Sequence, residues 1–233
     1  MAVSPASTAA GRVPDGAAAA ELLAVCDARG RPSDGGGPRG AVHRDGTWHR
    51  SFHCWVVRAG RRGPDLVLQR RARDKETWPG AWDVSAAGHY RVGEGLEGGL
   101  REVAEELGLV VPTDALVPLE RHREVIRYAS GLRDREYQDV YLVRCDRPLD
   151  AYAPDIAEVT GLLALPAPAV AALARGAVRR LRATAWLAQG DTWGLAPTTV
   201  TRSMLVPRAG RYYERVARAA ARLLRAYPVP PVQ

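Results

Sequence analysis

The stretch "GHYRVGEGLEGGLREVAEELGL", residues 88–109, decides how this chain is read. A glycine-rich turn, "RVGEGLEGG", runs into "LREVAEELGL", where Glu102, Glu105 and Glu106 fall within five residues. In a helix, side chains three and four positions apart are neighbours, so the three carboxylates share one side. Leu100, Val103, Ala104 and Leu107 supply a largely apolar opposite side, and Gly108 is placed to end the helix. Like charges this close repel. Either water solvates the face or a cation sits against it. Clustered carboxylate oxygens are a hard donor set of the kind Mg2+ or Mn2+ takes. The glycine-rich turn lets backbone come close to whatever binds there. A divalent cation on such a face shares its remaining positions with phosphates, lowers the pKa of water and neutralises a leaving group. A carboxylate not fully used by the metal can take the proton. Hydrolysis of a diphosphate is the chemistry this pattern permits.

Around this segment the chain alternates strand and helix patterns. "WHRSFHCWVVRA" and "LVLQRRA" read as a hairpin joined by "RRGPD". "WPGAWDVSAAGHY" reads as loop and short strand, and "RGRPSDGGGPRG" as a turn-rich loop. "EVIRYAS" and "YQDVYLVRC" read as two strands around the polar loop "GLRDRE", and "PDIAEVTGLLALP" as a further strand. "APAVAALARGAV" and "RAGRYYERVARAAARLLRAY" have helical spacing. In the second, Val216, Ala219, Ala220, Leu223 and Leu224 line one face, which predicts packing on the domain or on a second copy in a homodimer. Strands in the middle with helices inserted and appended indicate α/β or α+β layers.

The chain has 233 residues and a formal net charge of +7, with Lys75 the single lysine. The arginines are spread rather than clustered, which argues against a nucleic-acid partner and still favours phosphorylated small molecules. Cys26, Cys54 and Cys145 are far apart and odd in number, so they form neither a disulfide framework nor a CxxC metal site. They fit a reducing, cytoplasmic setting. The N-terminal "MAVSPASTAAGRVPDG" lacks a basic start, no apolar run is long enough to span a membrane, and residues 1–18 are expected to be disordered.

Residues 88–109 closely resemble the Nudix box, through Gly88, Glu94, Arg101, Glu102, Val103, Glu105, Glu106, Gly108 and Leu109. One departure stands out. Six residues separate Glu94 from Arg101 where the family has seven, and Gly98 and Gly99 replace better helix formers. Each glycine costs roughly 1 kcal/mol relative to alanine inside a helix. The shortening predicts a reshaped first turn and a loosened Glu94–Arg101 contact. "HRDGTWHRSFHCWVV", "LQRRARDKETWPGAWDVSAAGH" and "REYQDVYLV" resemble the Nudix branch related to isopentenyl-diphosphate isomerase. In those isomerases three histidines and two glutamates hold a metal, and the matching positions are His43, His49, His89, Asp134 and Glu136, with Asp134 standing where a glutamate is usual. The isomerases also carry a cysteine before the Gly-His pair. Here that position is Ala87, whose methyl group cannot transfer a proton.

The resemblance implies an α/β protein of the Nudix fold, an α/β/α sandwich with a central mixed sheet and an added C-terminal helix. A Nudix hydrolase domain over residues 19–190 is followed by a C-terminal helical extension over 191–233 that packs on it. It implies a pyrophosphohydrolase that cleaves a phosphoanhydride in a diphosphate-linked small molecule with Mg2+ or Mn2+. Glu102, Glu105, Glu106, the Gly88 carbonyl and Glu136 are its expected metal ligands, and Glu102 or Glu105 the base. Arg70 and Lys75 are expected phosphate contacts, with Arg71 in the same basic run. His43, His49 and His89 are a possible second metal site. Trp78 and Trp82 can stack on a substrate or pack in the core, and Asp83 can orient a neighbour or cap the loop. An isomerase-like protein and a non-catalytic metabolite sensor are the alternatives.

Overall fold

The computed structural model of the chain describes residues 21–128, 130–190 and 192–227. The segment expected to be disordered, 1–18, lies outside the described residues. The centre of the molecule is β3 (His49–Gly60), rich in β-branched and aromatic residues. It turns antiparallel into β4 (Gly63–Arg71), as the hairpin pattern predicts. On its other side β3 runs parallel to β8 (Arg133–Arg144), with His49 opposite Glu136 and Ser51 opposite Gln138. β7 (Val117–Arg127) pairs antiparallel with β8. β9 (Val159–Pro166) and the two-residue β5 (Trp82–Asp83) pair with β4, and β6 (Ala86–His89) pairs with the first half of β3. The result is a mixed sheet in which β3–β8 is the parallel pair and the other ladders are antiparallel.

Both faces of β3 are covered, which is why its hydrophobic run is nearly continuous. Phe52, Cys54 and Val56 join the core with Val103 and Leu107 of the glutamate helix (Leu96–Leu107). Trp55 and Val57 join the core with Val170 of the helix Ala167–Ala174 and with Val216, Ala220 and Leu223 of the helix Tyr212–Ala226. Helices therefore lie on both sides of the sheet, and the apolar stripe read from the C-terminal sequence is buried on this domain. With a short helix at Arg39–Asp45 these four are numbered α1 (Arg39–Asp45), α2 (Leu96–Leu107), α3 (Ala167–Ala174) and α4 (Tyr212–Ala226).

Two segments differ from the sequence reading. Part of the predicted loop "RGRPSDGGGPRG" forms an edge strand, β2 (Pro32–Pro38), paired with β1 (Leu22–Cys26). Its glycines suit that edge, because a Cβ at Gly36 would overlap Val92 and one at Gly37 would press on Val42. The segment read as a helical extension opens instead with a strand. β10 (Arg180–Gln189) and β11 (Thr192–Thr201) form a ten-rung hairpin at the sheet edge, and Trp186 stacks on Trp193 across it at 6.1 Å. Gly194 and Pro197 mask that strand in the sequence, whereas cross-strand pairing supplies its stability. No helix among the described residues is long and apolar enough to cross a membrane.

Candidate active site and metal centre

α2 begins at Leu96 and keeps its helical course through both glycines. A Cβ on Gly99 would overlap the Phe52 ring, and one on Gly98 would overlap the Glu94 carboxylate. Gly99 thus lets the first turn lie flat on β3, and Gly98 leaves room for the Glu94 side chain. The contact expected to loosen is retained: Arg101 Nη2 lies 3.7 Å from Glu94 Oε2.

The three glutamates do not act as one cluster. Arg101 also reaches Glu102 and Glu105, each at 2.8 Å, and Glu105 keeps half of its side chain exposed. Glu105 is therefore turned toward Arg101 and solvent. Glu102 and Glu106, one turn apart, share the inner face. Glu106 is buried, and its Oε2 accepts the Ala87 backbone N–H at 2.8 Å and Gln69 Nε2 at 3.1 Å. Glu102 presses on Gly88, where any Cβ would overlap it. Burial pushes Glu102 up to about 7, against the opposing charge of Arg101. Burial likewise raises Glu106 to about 7, against the Ala87 hydrogen bond and the charges of Arg71 and Lys75. Burial thus disfavours charge on both groups, and an adjacent cation would offset that cost.

The basic segment divides in a similar way. Arg71 and Lys75 lie close enough to act on Glu106, and Lys75 also pairs with Glu158. Arg71 is held by the Thr77 carbonyl at 3.1 Å and by Asp83 at 3.7 Å. Arg70, expected to meet phosphate, instead points its Nε at the Gly80 carbonyl at 3.4 Å. Alternation along β4 puts neighbouring arginines on opposite faces.

The second group of predicted residues converges more tightly. His43 on α1, His49 at the start of β3 and His89 at the end of β6 bring their ring centroids within 5.1–5.3 Å of one another. Asp134 and Glu136 project from β8. His43, His49 and His89 form one set, and His49, Asp134 and Glu136 another, with the donor atoms of each set within 4.8 Å of one another. Glu136, expected to join the helix glutamates, belongs here: its Oε1 lies 3.3 Å from His89 Nε2 and 3.6 Å from His49 Nε2. The parallel register that sets His49 opposite Glu136 dictates this.

The donor set fits a divalent metal. The Nε2 atoms of all three histidines and Asp134 Oδ1 are buried without a hydrogen-bond partner. Unsatisfied buried polar atoms cost about 1–3 kcal/mol each, and a shared cation satisfies all of them at once. His49 Nδ1 donates to the Thr47 carbonyl at 3.0 Å, which leaves its Nε2 lone pair facing the centre. Glu136 Oε2 accepts from Ser51 Oγ at 3.0 Å and Gln138 Nε2 at 2.6 Å. Burial lowers His43 to about 3 and His89 to about 4, so both rings are neutral. Burial opposes charge on His49 too, but the hydrogen bond and charge of Glu136 outweigh it and raise its pKa. Burial raises Asp134 to about 7, reinforced by the charge of Glu136. β6 links the two groups: Ala87 bonds Glu106, Gly88 abuts Glu102, and His89 enters the histidine centre.

Sequence reasoning missed Arg39, Gln69, Ser51 and Arg208. Ser51 and Gln138 follow His49 and Glu136 at the two-residue spacing of a strand, which is a signal in retrospect. Arg39, Gln69 and Arg208 come from distant segments and carry none.

A glutamate-bearing helix laid on a mixed sheet beside a basic loop is the frame of the candidate site. The NUDIX domain matches residues 47–187, and the chain belongs to the Nudix family. It is 31% identical over 183 residues to an uncharacterised Nudix hydrolase of Clostridium acetobutylicum, covering 78% of this chain and 88% of that one. It is 34% identical over 151 residues to an isopentenyl-diphosphate Delta-isomerase of Mycolicibacterium vanbaalenii, covering 63% and 78%. A crystal structure of a Deinococcus radiodurans protein superposes with a TM-score of 0.49 at 24% identity, covering 67% of this chain and 90% of that one.

Proposed function

We propose that the protein hydrolyses a phosphoanhydride bond in a diphosphate-linked small molecule, using Mg2+ or Mn2+. The observation that carries this reading is the arrangement of buried Glu106 and partly buried Glu102 one helical turn apart, with Glu102 against the Gly88 backbone and Glu106 within reach of the charges of Arg71 and Lys75. Bound at these carboxylates, a divalent ion supplies charge neutralisation for the diphosphate and acidifies water. Glu106 is fixed by the Ala87 N–H and Gln69 and serves as ligand. Glu102 lacks such a clamp from strand backbone, is held among the described residues by Arg101 alone, and is the better base. Arg71, pre-aligned by Thr77 and Asp83, and Lys75 hold the phosphates. His43, His49, His89, Asp134 and Glu136 hold a second metal, with Mn2+ suited to their mixed nitrogen and oxygen donors.

A phosphate-release screen over a diphosphate panel with Mg2+ or Mn2+ tests the proposal, with Glu106→Gln as control. Release that Glu106→Gln abolishes is the expected result; release that survives the substitution counts against it. The histidine centre favours a second reading, isomerisation of isopentenyl diphosphate. Ala87 weighs against that reading, because its methyl group supplies no acid beside Gly88 and His89. Double-bond migration without phosphate release would establish the isomerase in place of the hydrolase.

A further inference from the structure

We infer that Arg208 is a positioning residue: by taking up the charge of Asp83, it keeps the Arg71 guanidinium from closing on that carboxylate and so leaves it free for phosphate. The inference rests on the diphosphate reading above for what Arg71 meets.

Asp83 is buried, and the two cations beside it hold it unequally. Arg208 Nη2 lies 2.5 Å from Asp83 Oδ1, which also accepts the Val84 N–H at 2.8 Å. Arg71 Nη1 lies 3.7 Å from Asp83 Oδ2, beyond hydrogen-bond reach. Arg71 is fixed instead by its other edge. Its Nε donates to the Thr77 carbonyl at 3.1 Å and its Nη2 to Thr77 Oγ1 at 3.4 Å. That grip leaves Nη1 for a phosphate oxygen.

Arg208 comes from the connection between β11 and α4, and the backbone on both sides of it is pinned. The Val206 N–H donates to the Trp82 carbonyl of β5 at 2.9 Å, and the Ala209 N–H to Glu124 Oε2 of β7 at 3.1 Å. The guanidinium lies 5.9 Å from the centre of the Tyr212 ring, and the side chain is only 6% exposed. Its place beside Asp83 is therefore set by the fold.

A buried carboxylate draws in whatever cation is near, because leaving it uncompensated is costly. Without Arg208, Arg71 would be the arginine left beside Asp83. Closing 3.7 Å to a direct bond needs only a side-chain movement, and it would turn Nη1 from phosphate to Asp83. An ion pair that served stability alone would leave Arg71 where it is.

Calorimetry on the full chain with Mn2+ and methylenediphosphonate tests this, together with crystal structures of the ligand-free variants. Arg208→Gln can still hydrogen-bond Asp83 but gives it no charge. It is expected to weaken methylenediphosphonate binding about tenfold, a loss of about 1.4 kcal/mol. Its structure is expected to show Arg71 Nη1 within about 3.2 Å of Asp83. Adding Asp83→Asn removes the competing carboxylate, while Thr77 still holds Arg71, and is expected to restore most of the affinity. This double variant strands no charge, so it decides the matter if Arg208→Gln does not fold: recovered affinity upholds the inference, and a tenfold loss overturns it. Unchanged affinity in Arg208→Gln, or a double variant as weak as the single one, would also overturn it. If methylenediphosphonate does not bind the unaltered chain, the diphosphate reading falls, and the structure of Arg208→Gln still decides whether Arg208 holds Arg71 off Asp83.

Discussion

Arg39 Nη1 lies 2.8 Å from His89 Nδ1. A guanidinium only donates, so that ring nitrogen accepts, and the neutral ring carries its proton on Nε2, the atom that faces the histidine centre. His49 is arranged the opposite way, with Nδ1 donating to Thr47 and Nε2 left free. His89 can therefore take up metal at Nε2 only once its proton shifts to Nδ1, which displaces the Arg39 contact, and the Arg39 charge itself repels metal.

Replacing Arg39 with glutamine removes both obstacles. Mn2+ affinity at the centre is expected to tighten by roughly an order of magnitude in calorimetric titration, as loss of a nearby positive charge in a partly buried site implies. Unchanged or weaker binding in Arg39→Gln would mean that His89 is not a ligand.

Glu105 and Glu106 are adjacent in sequence and opposite in setting. Glu106→Gln is expected to lower the rate of metal-dependent phosphate release by about a hundredfold or more, in line with loss of a group acting in the reaction. Glu105→Gln, which disturbs a half-exposed pair with Arg101, is expected to stay within about threefold, since such pairs contribute little. Steady-state rates on both variants, with circular dichroism to verify folding, decide the matter. Equal losses would return Glu105 to the site.

Gly99→Ala sets helix propensity against packing. Alanine gains roughly 1 kcal/mol within a helix. Its methyl group would overlap the Phe52 ring, and overpacking a core costs about 1–3 kcal/mol. Net destabilisation by urea denaturation is the expected outcome, whereas a stabilised variant would show that α2 can lift from β3 freely.

His53 gives a pH dependence of stability separate from the metal. Its Nδ1 accepts the Tyr212 hydroxyl at 2.9 Å, and that oxygen in turn accepts Trp55 Nε1 at 2.9 Å. Burial lowers His53 from its ordinary 6.5 to about 3. Between those values the unfolded chain binds a proton that the folded chain refuses. The stability due to neutral His53 is complete above 6.5 and declines as pH falls toward 3, by at most about 1.4 kcal/mol per pH unit. Urea titrations between pH 4 and 6 are expected to show a shallower decline for His53→Gln than for the unaltered chain. Parallel curves would show that His53 is protonated in the folded state.

The sequence disclosed the parts of this molecule that depend on local pattern. The β3–β4 hairpin, α2 ending at Gly108, and the apolar stripe of α4 each follow from residues close together in the chain. What stayed hidden depends on distant partners. β11 is held by its register with β10, not by its own composition. Glu105 looks equivalent to Glu106 until Arg101, Gln69 and the Ala87 N–H distinguish them. Glu136 was read toward the helix, and only the parallel pairing of β3 with β8 sends it to His49. Gly99 of α2 resembles a defect in the sequence because Phe52, which it accommodates, lies more than forty residues away.

The Arg208–Asp83 ion pair reaches from the tail of the chain into the floor beneath Arg71. A recombinant fragment trimmed at residue 187, where the family match stops, would strand a buried aspartate with its main counter-charge gone. Any comparison of substrates between this protein and relatives aligned only over that span leaves out a piece of the foundation.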